Sequence, residues 1–354
     1  MSELFKPLKL RGVTFKHRIF VSPMCQYSSD DGMPTDWHFV HLGSRAVGGA
    51  ALVMVEATAV CPEGRISPKD SGLWSDEHAR AFAKLTPFLG AHGAVPGIQL
   101  AHAGRKASTA VPWLGSGRVA PADGGWEPLA PSALPFAPNY PMPRAMTLSD
   151  IDEVVARFEE AARLSLAAGF EVIELHFAHG YLVHEFLSPL SNQRTDDYGG
   201  SLANRMRLAL RIAKAVRAVW PEDKPLFVRV SATDWVEGGW DLKGTIALAR
   251  ELRELGVDLL DCSSGGNVAD AKIPLTHGYQ VPFAMAVRND VGMPTAAVGL
   301  ITEAKQAEAI VAGGLADAVF LARQLLRDPY WPMHAAKELG VDIDWPKQYQ
   351  RAKQ

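Results

Sequence analysis

A chain of 354 residues with 47% hydrophobic content and a formal net charge of −3 can bury a large core, either as one sizeable α/β barrel or as two smaller domains. No basic excess or Lys/Arg-rich run marks it for nucleic acid or an anionic membrane surface, which leaves small molecules as the expected partners. The N-terminal MSELFKPLKLRG lacks an apolar core of signal-peptide length, and no apolar run approaches the roughly 18 to 20 residues that span a bilayer, so a cytoplasmic protein is expected. Cys25, Cys61 and Cys262 stand far apart with no CxxC pairing, so neither a disulfide framework nor a zinc or iron–sulfur site is indicated.

Short runs rich in β-branched residues alternate along the chain with longer amphipathic segments. The runs are 18–23, 51–58, 95–102, 171–177, 225–232, 258–264, 294–299 and 317–322. Helical spacing follows them at 201–220, where Leu202, Met206, Leu210 and Ala213 share a face, and at 302–314. The segment 147–169 opens with Thr147 and Asp150 in capping-box spacing and closes at Gly169. Eight strand–helix units in series predict a single (β/α)8 TIM barrel over 1–354. A doubly wound sheet is the alternative, but the chain has no GxGxxG after its first strand and no Walker loop.

Residues 103–146 break this rhythm. Thirteen of the 44 are Gly or Pro, so no regular helix or sheet is expected there. Following the third strand, the segment would emerge at the C-terminal face of the barrel as a lid or substrate-wall loop. The fourth run leads into ELHFAHGYLVHEF, which sets His176, His179 and His184 within nine residues. His176 and His179 fall at the strand exit, where two imidazoles form a donor pair suited to a carbonyl oxygen or small anion. Their use as metal ligands is weakly supported, because Glu174 and Glu185 have no HExxH-type spacing, and no metal is expected. His184, on the following helical turn, reads as an ordinary satisfied histidine. Arg229 alternates with Val228 and Val230, which aims a cation into the barrel, and a cation there needs an anion, either a structural carboxylate or a ligand.

The run HFAHGYLVHEFLSPLSNQRTDDYGGSLANR, with SPMCQYS, WHFVHLG, EATAVCPEGR, QLAHAGRK, FVRVSATDW and ARQLLRDP, resembles the old yellow enzymes, FMN-dependent ene-reductases. It is most similar to the subclass with a cysteine in the first-strand motif, often named NADPH dehydrogenase. The resemblance implies a non-covalent FMN lined by Ser22, Pro23, Met24, Cys25 and Ala57. Gln99 would bond its pyrimidine edge and Arg229 its N1/C2 region. Gly299, Ala322 and Arg323 would hold its phosphate, with Ala322 replacing a common glycine. Cys25 would modulate the flavin's potential.

With no separate dinucleotide site, the resemblance implies that NADPH or NADH delivers hydride to the flavin and leaves, and that an enone or similar activated alkene then takes its place. His176 and His179 would hold the carbonyl, Tyr27 would touch the substrate, and Tyr181 would donate the α-proton, as a phenol with an ordinary pKa near 10 can at neutral pH. Phe177, where relatives often have a small residue, would either reshape the pocket wall or pack behind the strand. The C-terminal Gln348, Tyr349 and Arg351 match a subclass motif whose arginine enters a neighbouring subunit's site, which implies a homodimer or a tetramer of dimers sharing 346–354. The competing readings are a metal-dependent barrel hydrolase, a non-catalytic flavin redox sensor switched at Cys25, and the longer dienoyl-CoA reductase class. Too few cysteines argue against the last.

Overall fold

A computed structural model describes residues 2–115 and 117–353. All eight expected strands form. An N-terminal hairpin, β1 (Leu8–Leu10) with β2 (Val13–Phe15), precedes β3 (Ile19–Val21), β4 (Leu52–Ala59) and β5 (Val95–Ala101). Two-residue strands β6 (Leu129–Ala130) and β7 (Arg144–Ala145) pair within the long loop. Then come β8 (Val172–Phe177), β9 (Leu226–Ser231), β10 (Leu259–Ser263), β11 (Thr295–Val298) and β12 (Ala318–Leu321). Strands β3, β4, β5 and β8 to β12 close in that order into a parallel barrel, β12 pairing back onto β3. The fold is the TIM barrel that the alternation of strand and helix patterns predicts.

The helices form where their periodicity places them, as Leu148–Ala167, Leu202–Val219 and Ala304–Ala312 among others. Thr147 Oγ1 accepts the Asp150 N–H at 3.1 Å, and Asp150 Oδ2 accepts the Thr147 N–H at 2.7 Å, so the capping box is complete. Among the described residues of 103–146, single turns (Gly104–Lys106, Pro112–Leu114, Pro121–Asp123), the β6/β7 pairing and an isolated Thr109–Arg118 bridge interrupt the irregular path.

Strand alternation divides the core in two. Outward-facing Val228, Val230, Leu260 and Phe177 pack beneath the helices, while Phe20, Leu52, Met54, Phe227, Leu259 and Phe320 fill the lumen. Phe15 of the hairpin plugs the lumen from the N-terminal end, its ring 4.8 Å from that of Phe20 and 6.2 Å from that of Phe227. With the lower barrel sealed by apolar side chains, inward-facing polar groups collect above it, toward the C-terminal ends of the strands.

Candidate active site

Above the apolar plug the inward positions become charged. Glu174 on β8, Arg229 on β9 and Asp261 on β10 are almost entirely buried. Arg229 Nε donates to Asp261 Oδ2 at 2.5 Å and lies 3.6 Å from Glu174 Oε1, while its Nη2 donates to Ser22 Oγ at 2.9 Å. The structural carboxylate considered for Arg229 is therefore present, and twice. Gln99 lies inside β5, two residues short of its end, and is buried, donating through Nε2 to Glu174 Oε1 at 2.7 Å.

One layer higher, His176 and His179 meet edge to face with ring centroids 5.0 Å apart, and Tyr181 stands equally close to His176. Burial, followed by each ring's cationic and imidazole neighbours, holds both histidines well below the ordinary imidazole range, so both are neutral at pH 7. His176 Nδ1 accepts the Ala178 N–H at 3.3 Å, which puts its proton on Nε2. His179 Nε2 lies 2.7 Å from Ser263 Oγ. Burial raises the Tyr181 phenol above its usual range, with Cys25 and Tyr27 adding to the effect, so it remains protonated.

The backbone that carries these groups is held tightly. His179 has φ +62°, and its N–H donates to Ser231 Oγ at 2.9 Å. Gly180 has φ +70°, and a β-carbon there would lie 2.2 Å from the Gly266 carbonyl oxygen, so only glycine lets the β8 and β10 exits touch. Lys106, from the loop after β5, donates through Nζ to the carbonyls of His179 (2.7 Å) and Gly266. Burial brings that ammonium down to about 7. His184 is buried as well, its Nδ1 accepting the Gly180 N–H at 2.9 Å and its Nε2 2.9 Å from Asp234 Oδ1. It braces the turn through Gly180 from behind.

Leaving β3, Ser22 to Tyr27 cross the barrel mouth. The Cys25 thiol is pushed up by burial and by Asp70 and Glu56, which keeps it protonated and poorly nucleophilic. Tyr27 takes φ +51° and meets Trp113 of the loop after β5 edge-on. Glu56, at a register shift in β4 next to Ala57, accepts the Gln26 N–H, lies 2.7 Å from His38 Nε2 and takes Ser71 Oγ at 2.9 Å. This anchoring dyad was not singled out from the sequence, although His38 and Glu56 both lie in motifs that carry the resemblance.

A cavity of about 310 Å³ joins the two halves of the site, lined by Ser22, Pro23, His179, Arg229, Gly299 and Arg323 among others. Gly299 has φ +112°, and a β-carbon there would come within 2.6 Å of Gln280 Nε2 and 2.9 Å of the Tyr279 ring, so glycine keeps this wall open. Ala322 has φ −105°, which a β-carbon tolerates. Arg229 lines the cavity from the lumen and Arg323 and Arg327 from the segment after β12, a donor set that fits a flat polar ring tailed by a phosphate. The barrel thus gathers Ser22, Pro23, Met24, Cys25, Tyr27, Ala57, Gln99, His176, His179, Tyr181, Arg229, Gly299, Ala322 and Arg323 at its C-terminal end. Phe177 is fully buried in the outer core, behind the strand and away from the cavity. Arg351 is the exception. The tail from Asp344 to Gln348 lines a cavity together with Lys16, Gly49 and Gly93, which precede β3, β4 and β5 at the opposite end of the barrel.

The TIM barrel thus carries a cationic cavity, neutral histidines and a protonated tyrosine at its C-terminal face. Residues 3–342 match the NADH:flavin oxidoreductase / NADH oxidase family, and the chain belongs to that family. It is 51% identical over 350 residues to an NADPH dehydrogenase of Geobacillus sp. (strain WCH70), covering 98% of each chain. Among solved structures it is similar to morphinone reductase (TM-score 0.80, 26% identity, 98% of this chain and 92% of that one). A similar match is the old yellow enzyme homologue from Zymomonas mobilis (TM-score 0.80, 25% identity, 98% and 96%). The chain is an FMN-dependent oxidoreductase supplied by NAD(P)H. Among the described residues no helix is long and apolar enough to cross a membrane.

Proposed function

We propose that the protein is an ene-reductase that reduces the C=C bond of α,β-unsaturated carbonyl compounds in two half-reactions sharing one pocket. The observation that carries this reading is the neutral His176/His179 pair beside protonated Tyr181, with His179 lining the cavity. Bound FMN would accept hydride from NADPH or NADH and pass it to the β-carbon of the alkene. Ser22, Pro23, Met24, Cys25 and Ala57 would line its ring, Gln99 and Arg229 would meet its pyrimidine and N1/C2 edge, and Gly299, Ala322 and Arg323 would hold its phosphate.

His176 offers Nε2–H to the substrate carbonyl, and His179 works beside it. Being neutral, the pair polarises the C=C bond without protonating the oxygen, and it stabilises the enolate charge as that develops. Tyr181 gives its phenolic proton to the α-carbon, and Tyr27 together with the lid excludes water. Arg351 reaches a neighbour's pocket in a homodimer or a tetramer of dimers. Docking of the preceding segment at the far end of its own barrel supports contact in trans.

A metal-dependent hydrolase is disfavoured, because no group of three His, Cys, Asp or Glu side chains among the described residues is arranged around one point. A sensor switched at Cys25 is disfavoured by its raised thiol pKa. The test is rapid mixing of the NADPH-reduced yellow protein with cyclohexenone under anaerobic conditions. Fast flavin reoxidation with release of the saturated ketone is expected. Flavin that stays reduced would overturn the reading.

A further inference from the structure

The charged layer below the histidines contains two carboxyls for one guanidinium. Glu174 and Asp261 are 0% exposed and Arg229 is 4% exposed. Asp261 Oδ2 takes Arg229, and Glu174 Oε1 takes Gln99. Glu174 Oε2 and Asp261 Oδ1 are buried with no donor among the described residues, although the two carboxyls lie within hydrogen-bonding reach of one another.

Among the described residues no second cation balances the layer. From β3 it meets the neutral Ser22 hydroxyl, from β5 the Gln99 amide, from β12 the Phe320 ring 5.4 Å from the guanidinium, and above it the neutral His176 and His179. With both carboxyls ionised, the lumen would carry a net negative charge out of reach of water, and burial raises the proton affinity of both groups. One proton brings the layer to neutrality and supplies a donor for an orphaned oxygen.

We propose that Glu174 and Asp261 bind a single proton between them, and that its affinity rises when negative charge is placed against the cavity face of Arg229. The inference rests on the proposed contact of Arg229 with the flavin's N1/C2 edge. Hydride transfer from NADPH carries two electrons and one proton, which leaves the bound ring with one more negative charge. That charge competes for the guanidinium, so the carboxyl pair is less compensated and holds its proton more tightly. At pH values where the oxidised protein has released this proton to water, reduction draws it back. When hydride leaves for the alkene, the proton returns to solvent. Glu174 and Asp261 thus act as charge-compensating residues and touch no substrate.

The experiment uses the full-length holoprotein and needs no turnover. Infrared spectra taken during an alkaline titration of the oxidised form should show loss of one carboxylic acid C=O band. Glu174→Gln and Asp261→Asn each leave one carboxylate facing one guanidinium, so either substitution should abolish that band at neutral pH. Potentiometric titration should show that the flavin midpoint of wild type falls more steeply with pH above this transition, and that both variants lose the extra slope. A wild type with no titrating carboxylic band, or an unchanged slope in Glu174→Gln, would overturn the proposal. If the variants do not fold, proton uptake by the wild type on reduction, read with a pH indicator, decides: uptake that does not increase across the transition overturns it. Failure of the Arg229 contact is separately visible, because the band would titrate as expected while its midpoint ignored the flavin's redox state.

Discussion

Replacing His176 by Ala should slow enone reduction about 10² to 10³-fold, the effect of removing one preorganised oxyanion donor, roughly 3 to 4 kcal/mol. The structure supports the upper half of that range. The imidazole is 3% exposed, its tautomer is set by the Ala178 N–H, and its neighbours leave it uncharged, so Nε2–H is a fixed donor in a site of low dielectric. The same change strands the Ala178 N–H, which should lower stability by about 1 kcal/mol and must be kept apart from the catalytic effect. Stopped-flow absorbance separates them, with the variant reduced by NADPH and then reoxidised either by cyclohexenone or by oxygen. Loss confined to the enone trace, with weaker binding of phenol-type ligands, is expected. Equal loss in all three traces with ligand affinity intact would refute the donor role.

Tyr181→Phe should leave flavin reduction by NADPH nearly unchanged and slow reoxidation by enones that need α-protonation; an unaltered enone trace would pass the proton role to Tyr27 or water. Gly180→Ala, which forces a β-carbon within 2.2 Å of the Gly266 carbonyl at φ +70°, should cost about 2 to 3 kcal/mol in urea unfolding. His41 is held at about 3 by burial, then by Arg45 and His38, so the unfolded chain binds a proton that the native state refuses between pH 6.5 and 3. Its stabilising contribution is complete above pH 6.5 and declines below, so His41→Gln should gain about 2 kcal/mol relative to wild type on going from pH 7 to pH 5. Deleting 346–354 should raise the KM for enones while leaving FMN bound. Mixed dimers of a truncated chain with a full-length chain disabled at His176 and His179 should recover wild-type kinetics if Arg351 acts in trans.

The barrel was legible because it is written locally. Eight apolar runs of strand length and a capping box at Thr147 and Asp150 each depend on neighbours a few residues away, and both form as read; the Gly- and Pro-rich loop follows a mostly irregular path but also pairs β6 with β7. Arg229 could be aimed inward from its two flanking valines alone, and the motif series assigned the family. Its partners could not be identified in the same way. Asp261 sits inward in DLLDCSS, but a single polar residue in an apolar run does not reveal which strand stands beside it. Only barrel closure and register set Arg229 opposite Asp261 and leave two carboxyls with one cation. Likewise, Glu56 was silent until the β4 register shift brought it to the Gln26 N–H. Periodicity fixes which way a side chain points, because that is a property of one strand. The group it meets depends on contacts between residues far apart in the chain, and those exist only after folding.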